Sequence, residues 1–352
     1  MNKIKYLSII AFYLSITSYG QELPMRTTAM QFLLINTDAR SAGMADNGVA
    51  TSDNAYSIYH NPAKTAFKEN QTSISLSYTP WFRSITNNTF VGEMSFIQRF
   101  REKSAWGVSL KYFSLGKIQL TDKQGVNTGI ENPNEFALTG SYSMKLSDVF
   151  SLGVALKYIY SNYKLTTINS SLESVHTANV DISGFYQSPV KQFNKFDGVY
   201  RFGFNIANIG PKVKYNSEKL FTPTNLKLGG GFDFIINKRH IIGTSLDFTK
   251  LLVPINSLSE KNSLGGIVES FDSDNLKDFT WGLGAEYKYD NTFAVRTGYF
   301  HESESRGFRQ FLTFGAGFQT QKFTIDLSYL ANTSKTDSPL KNTFRFSLSF
   351  DL

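Results

Sequence analysis

The chain has 352 residues, of which only 18 % are charged and 15 % aromatic, with 31 Phe and 18 Tyr. Mean hydropathy is −0.23, and beyond the first twenty residues no apolar run approaches the roughly 18 needed for a spanning helix, which excludes a helical membrane bundle. The lack of cysteine excludes disulfides, thiolate metal sites and a Cys nucleophile, and the formal charge of +7 is spread along the chain rather than blocked, giving no ground for a nucleic-acid partner.

Residues 1–20 read as an export signal. Lys3 and Lys5 form a short positive region, Tyr6 to Ile16 an apolar core, and Ser18-Tyr19-Gly20 a cleavage site before Gln21. The run is too short for a helical anchor. Its removal lowers the formal charge from +7 to +5, because residues 1–20 hold two lysines and no Asp or Glu.

Residues 21–70 show no sustained strand alternation, yet they carry the apolar groups Phe32-Leu33-Leu34-Ile35, Met44, Val49, Tyr56, Ile58 and Tyr59. A solvated tail lacks such clusters. Gly43, Gly48 and Asn61-Pro62 suit tight turns in a confined space, and the segment is expected to plug a lumen.

From residue 71 onward one pattern recurs. Segments of about ten residues alternate apolar and polar, so each presents one continuous apolar face. The last segment has Phe344, Phe346, Leu348, Phe350 and Leu352 on one face. Comparable rows are Trp106, Val108, Leu110 and Tyr112; Phe150, Leu152, Val154, Leu156, Tyr158 and Tyr160; and Phe279, Trp281, Leu283, Ala285, Tyr287 and Tyr289. About fourteen segments are expected, at 71–79, 88–100, 103–115, 134–146, 149–163, 175–188, 198–209, 224–237, 239–250, 278–289, 292–301, 309–320, 322–331 and 342–352. Very short connections (Arg101-Glu102, Ser147-Asp148, Lys238, Asp290-Asn291, Gln321) alternate with long ones (116–133, 164–174, 210–223, 251–277, 332–341), and the connection 188–197 breaks the rule. An even strand count with short turns on one side and long loops on the other matches outer-membrane barrels. A soluble sandwich also alternates, but it has fewer strands, and an open sheet this wide would leave long edges. The expected fold is therefore an all-β transmembrane antiparallel barrel of about 14 strands with an N-terminal plug. Both termini are expected on the periplasmic side.

The polar faces predict the lining. They carry Lys111, Lys157, Lys227, Asp233, Asp247, Glu286, Asp326 and Arg345. Charges of both signs in one interior are expected to pair. A lumen on the order of 28 Å across at the backbone needs either water or chain to fill it.

The run Phe32 to Ala50, which includes Asp38-Ala39-Arg40-Ser41-Ala42-Gly43-Met44, with Tyr59-His60-Asn61-Pro62-Ala63-Lys64 and Tyr78-Thr79-Pro80-Trp81, resembles the N-terminal signature of the PorV family of type IX secretion. PorQ, a sister of that system, shares parts of the pattern. The resemblance implies kinship with FadL-like barrels, in which an Asn-Pro-Ala motif sits in a plug within fourteen strands. On that basis Asn61, Pro62, Ala63, Arg40 and Gly43 are the plug residues. It further implies a carrier that takes the C-terminal signal domain of exported cargo from the giant translocon barrel (SprA/Sov-like). The carrier passes it to the surface attachment complex of the sortase PorU with PorQ and PorZ. FadL-like relatives imply a second reading, a channel for hydrophobic small molecules.

Nothing in the motifs points to catalysis. His60, His176, His240 and His301 lie far apart without metal-ligand spacing, there is no G-x-S-x-G or H-E-x-x-H, and Gly229-Gly230-Gly231 lies inside a strand pattern as a bend or close approach. No cofactor is expected. Partner contact is expected on outer loops, through Trp81 and Phe82, and through Leu252, Val253, Ile255, Ile267, Val268 and Phe271 of the 251–277 loop. Trp81 could equally be an interfacial girdle residue, and the 251–277 loop could pack over the barrel mouth. Phe344, Phe346, Leu348 and Phe350 are expected to form the membrane-assembly strand, alongside outer-membrane lipid.

Overall fold

The computed structural model describes residues 26–352, except 83–87, 123, 164–165, 168–169, 172–173, 216–217, 257–258, 273–275, 335–339 and 341. The expected export signal 1–20 and residues 21–25 lie outside the described residues.

Fourteen strands form the wall. In chain order they are β1 (Thr72–Pro80), β2 (Phe90–Phe100), β3 (Ser104–Ser114), β4 (Asn134–Lys145), β5 (Phe150–Asn162), β6 (Val175–Gln187) and β7 (Asp197–Ile209). They continue as β8 (Asn225–Ile235), β9 (His240–Leu251), β10 (Phe279–Tyr289), β11 (Phe293–His301), β12 (Gln310–Gln319), β13 (Phe323–Asn332) and β14 (Thr343–Asp351). Each pairs antiparallel with its sequence neighbours. The first and last close the ring, with Ser73 opposite Asp351 and Tyr78 opposite Phe346. Closure leaves no free sheet edge. The sequence-based spans agree with these strands to within about two residues, because the period-2 pattern ends where Gly, Asn and Asp take over. The short strand pairs 118–121 with 127–131 and 213–215 with 218–220, within the long connections, were not legible from alternation.

The alternation sets which face is which. Leu76, Leu110, Leu156, Phe202, Leu283, Phe314 and Phe346 are exposed on the outside. Between them, Ser75, Ser109, Ser143, Ser183, Asn205 and Ser347 are buried. A buried polar row beside an exposed apolar row is the reverse of a soluble sandwich and fits a wall whose outside meets lipid.

Phe350 belongs to the outward row, opposite Ile74 and Phe323. Phe350→Asp is expected to impair assembly. A midplane basic residue costs about 2–4 kcal/mol, an acidic one less, and an interface position near zero to one. The heat-modifiable fraction in outer membranes checks this, and unchanged abundance would show that the row does not face lipid.

The ladder has one irregularity. Between Val180 and Ile182 of β6 the β7 partner jumps from Ile209 to Ile206, so β7 carries an extra residue there. Asn208 takes a left-handed φ of 61° at this bulge. Its N–H donates to Asp181 Oδ1 at 2.8 Å, and Lys157 Nζ bridges Asn208 Oδ1 at 2.8 Å and Asp181 Oδ2 at 2.7 Å.

Candidate functional site

Residues 28–68 lie within the ring. They are short helical turns and irregular chain, including α1 (Ala39–Ala42), α2 (Ser57–His60) and the 3-10 helix Pro62–Phe67. Buried irregular backbone needs partners for its N–H and C=O groups, and the inward polar row of the wall supplies them.

Asn61 holds the chain in three directions. Its Nδ2 donates to Val49 O and to Gly184 O of β6, each at 3.1 Å. Its Oδ1 accepts from Ala63 N at 3.0 Å and so caps the 3-10 helix, with Pro62 at the first helical position. Ala63 N also donates to Ser183 Oγ at 3.0 Å, and Ala63 O accepts from Ser151 Oγ at 2.7 Å. The Asn-Pro-Ala run is thus a helix start braced on β5 and β6 rather than the tight turn its composition suggested.

Arg40 forms a fork on Glu286 of β10, Nε to Oε2 at 3.0 Å and Nη2 to Oε1 at 2.9 Å, and its Nη2 also reaches Ser52 Oγ at 2.7 Å. Glu286 accepts in turn from Arg296 at 2.6 Å and pairs with Lys288 at 3.2 Å, while Arg296 reaches Asp326 at 2.7 Å. Most of the lining charges pair, Lys111 with Glu93, Lys157 with Asp181, Arg201 with Asp233 and Arg345 with Asp46, whereas Lys227 lies over the Tyr59 ring and Asp247 accepts backbone N–H groups instead.

Gly43 has an ordinary helical φ of −66°. Its small size matters instead, since a Cβ there would stand 3.0 Å from Gly315 Cα. The left-handed turn falls on Ala45 and Asp46, at φ 60° and 62°. Non-glycine residues adopt this conformation at a cost, and here Thr313 Oγ1 accepts from Ala45 N at 3.0 Å and Asn36 Nδ2 donates to Asp46 Oδ1 at 2.8 Å. Gly229 and Gly231 of β8 likewise admit the backbone of Val49 and Ala50, the close approach read from the glycine run.

Several anchors carry no motif. Asp247 Oδ2 accepts from Gly48 N at 2.7 Å and Val49 N at 2.9 Å. Thr37 donates to Glu93 at 2.7 Å, and Asn47 Nδ2 donates to Gly282 O at 2.9 Å. The only signal for them was the polar half of each alternating row. Buried His60 bonds Ser41 Oγ at 2.9 Å and lies 3.6 Å from Asp38 Oδ2, and burial lowers its pKa. Burial, with Arg40 nearby, pulls Lys64 down to about 7; its Nζ donates to Gly48 O at 2.7 Å. The other three histidines lie on the outer wall, where His176 bonds Tyr158, His240 bonds Tyr287 and His301 stacks on Trp281.

The loop end of the ring is roofed by apolar packing. Ala29, Met30, Phe32 and Leu33 meet Trp81, Val91, Phe113, Ala137, Ile159 and Val213 in one cluster. This corrects two expectations. Trp81 is only 8 % exposed and belongs to that cluster, with Phe82 packed against it, so it is neither an exposed contact nor a girdle residue. Leu252 and Val253 are also buried, where Leu252 N bonds Thr224 O at 2.8 Å and draws the start of the loop onto the mouth. Ile255 and Ile267 are half-buried. The same loop carries a helix, α3 (Ser263–Glu269), started by Asn262, whose Oδ1 accepts from Gly265 N at 2.8 Å. Gly266 packs against Phe221 on its inner side. Leu264, Val268 and Phe271 are 68 %, 70 % and 42 % exposed. Leu264 was not among the sequence-derived contacts.

A cavity of about 190 Å³ lies between the inner segment and β8–β11, lined by Leu34, Tyr59, Lys227 and Phe300 and by the charged Arg26, Asp278, Arg306 and Arg309. A more polar one of about 210 Å³ opens at the turn end, beside Arg40, Lys68 and Asp351.

Solved structures share this architecture. The CymD monoaromatic hydrocarbon channel superposes with a TM-score of 0.56 at 12 % identity, covering 91 % of this chain and 98 % of the channel. The Ralstonia pickettii toluene transporter TbuX gives 0.53 at 12 % identity, with 91 % and 98 % covered. The Pseudomonas putida toluene transporter TodX gives 0.52 at 11 % identity, with 88 % and 95 % covered. At such identities the likeness is one of fold. No curated protein matches the chain. The family model described as type IX secretion system protein PorV matches residues 19–258, more than half of the chain, and includes the whole inner segment with its Arg40 and Asn61 anchors. The chain is an outer-membrane β-barrel and belongs to the PorV family of the type IX secretion system.

Proposed function

We propose that the chain is a non-enzymatic carrier of the type IX system. It binds the C-terminal signal domain of exported cargo at the giant translocon barrel and hands it to the surface attachment complex of PorU, PorQ and PorZ. In this reading residues 1–20 are removed on export, 21–70 close the lumen, and 71–352 form the barrel, with both termini periplasmic and the long loops outside. Family membership is the observation that carries the reading. It is supported by the inner segment's bonds to the wall, which leave recognition to the loop end.

The contact surface is assigned to α3 and the turn after it, where Leu264 and Val268 of the helix and Phe271 beyond it are exposed. Exposed apolar groups of this kind mark protein contacts. Leu264→Asp with Val268→Asp is expected to weaken capture of a cargo signal domain by about tenfold or more, as hot-spot residues do. Barrel melting should stay unchanged, since neither side chain is buried. Pull-down of a tagged signal domain by the purified barrel checks this, and equal capture by the double variant would exclude α3. The wider test is a deletion strain. Cargo should fail to reach the surface, and normal surface anchoring would refute the carrier reading. Passage of hydrophobic small molecules fits less well, because the lining of the 190 Å³ cavity includes the charged groups of Arg26, Asp278, Arg306 and Arg309.

A further inference from the structure

We propose that the turn between β6 and β7, together with the adjoining β8–β9 turn, is a binding surface for the head groups of anionic phospholipids. This turn spans 188–196, whereas the other connections at its end of the ring are three or four residues long. Lys191 and Gln192 pair with Gly198 and Asp197, so the turn continues the β6–β7 hairpin beyond Gln187.

There it completes an aromatic floor. Phe193 stacks on Phe196 at 5.0 Å, Phe196 meets Phe234 at 5.3 Å, and Phe234 meets Phe232 at 4.4 Å. Gly198 makes room for this, since a Cβ there would stand 2.6 Å from the Phe232 ring and 3.0 Å from that of Phe193. Val190 and Phe193 remain 59 % and 46 % exposed. Aromatic rings held at the end of a barrel wall sit at head-group depth.

Four cations border the floor. Lys191, Lys195, Lys238 and Arg239 are all exposed. Among the described residues none of their side chains makes an ion pair or a hydrogen bond. Of the carboxylates near the two turns, Asp233 is already held by Arg201 at 2.8 Å. Asp197 and, in the neighbouring turns, Asp148 and Asp290, whose N–H donates to Arg239 O at 2.7 Å, make no ion pair with these cations among the described residues. Four unpaired cations beside an apolar floor suit a ligand with a negative head and apolar tails. A cluster of this size near a lipid surface attracts anionic lipid, with about fivefold in affinity per charge.

The inference rests on the reading that the turn end faces the phospholipid leaflet. The test reads lipid retention, not secretion, so its failure is separate from failure of the carrier reading. The purified full chain is equilibrated in micelles containing phosphatidylglycerol, phosphatidylethanolamine or lipid A, and retained lipid is measured by native mass spectrometry. Phosphatidylglycerol should be retained in preference to phosphatidylethanolamine, about fivefold less with Lys191→Gln, and less still with all four cations neutralised. Phe193→Ala with Phe196→Ala should lower retention of both glycerophospholipids while leaving the preference for the anionic one. Lys117→Gln at the loop end is the control and should change nothing. Equal retention of the two glycerophospholipids, unchanged retention by the fourfold variant, or a preference for lipid A would each overturn the proposal. So would loss of a co-purified acidic membrane protein with lipid retention intact, which would make the surface a protein contact.

Discussion

Replacing Gly298 by valine is expected to drive the inner segment off the wall and turn a closed barrel into a conducting one. A Cβ on Gly298 would stand 2.6 Å from Ala45 N, 2.7 Å from Met44 C and 2.9 Å from Ala45 Cβ. Two of those atoms are backbone, in a left-handed turn whose φ values leave little room to adjust. Gly282 and Gly284 of β10 are just as close to the Met44–Ala45 backbone, so the segment cannot slide sideways. Overpacking costs about 1–3 kcal/mol where neighbours can yield, and here the yielding element is the segment, not the hydrogen-bonded wall. Its displacement also breaks the bonds from Ala45 N to Thr313 Oγ1 and from Thr313 Oγ1 to Gly43 O. Planar-bilayer recordings should find the native chain closed and Gly298→Val conducting. Gly140→Val, where a Cβ meets open space outside the wall, should remain closed. A folded Gly298→Val barrel that stays closed would show that residues 39–50 do not block the lumen.

Glu286→Ala is expected to be the most destabilising single charge change in the lumen. Three cations share this carboxylate, Arg40, Arg296 and Lys288. The Arg40, Glu286 and Arg296 side chains are each at most 11 % exposed. Removing one partner of a buried pair strands the other charge, at about 3–5 kcal/mol. Arg296 keeps Asp326, and among the described residues Arg40 keeps only Ser52 as a side-chain acceptor. Adding Arg40→Ala should therefore recover part of the loss, a coupling that a double-mutant cycle reads directly. Heat-modifiable gel mobility and urea unfolding in lipid check the stability. A Glu286→Ala barrel as stable as the native one, or strictly additive single changes, would show that the cluster does not hold the segment to β10.

The wall was legible because its physics is local. A strand with one face in lipid must alternate, so Phe344, Phe346, Leu348 and Phe350 announce their own orientation without reference to any other strand. Strand number and the split into turns and loops follow from the same alternation. The nine-residue turn 188–196 breaks the rule of short turns, and the structure uses its extra length to lay Phe193 and Phe196 on Phe232 and Phe234. At the loop end local reasoning failed. Trp81, Leu252 and Val253 sit in connections and are apolar, which in a sequence is equally consistent with exposure or with a roof. Only the arrival of Ala29 to Leu33 at the barrel mouth makes them core.

The inner segment divides in the same way. Composition alone gave the expectation that residues 21–70 are too apolar to float free, and the motif run marked Arg40, Gly43 and Asn61. It did not say what those residues do. Asn61 works through Gly184, Arg40 through Glu286 and Gly43 through Gly315, partners more than a hundred residues away. Alternation records which side of the wall a side chain takes, because burial depends on its own polarity. It does not record which inward group will meet which buried backbone N–H, because many serines, threonines and acids satisfy one equally well. That choice is made only when the ring closes and the segment packs inside it.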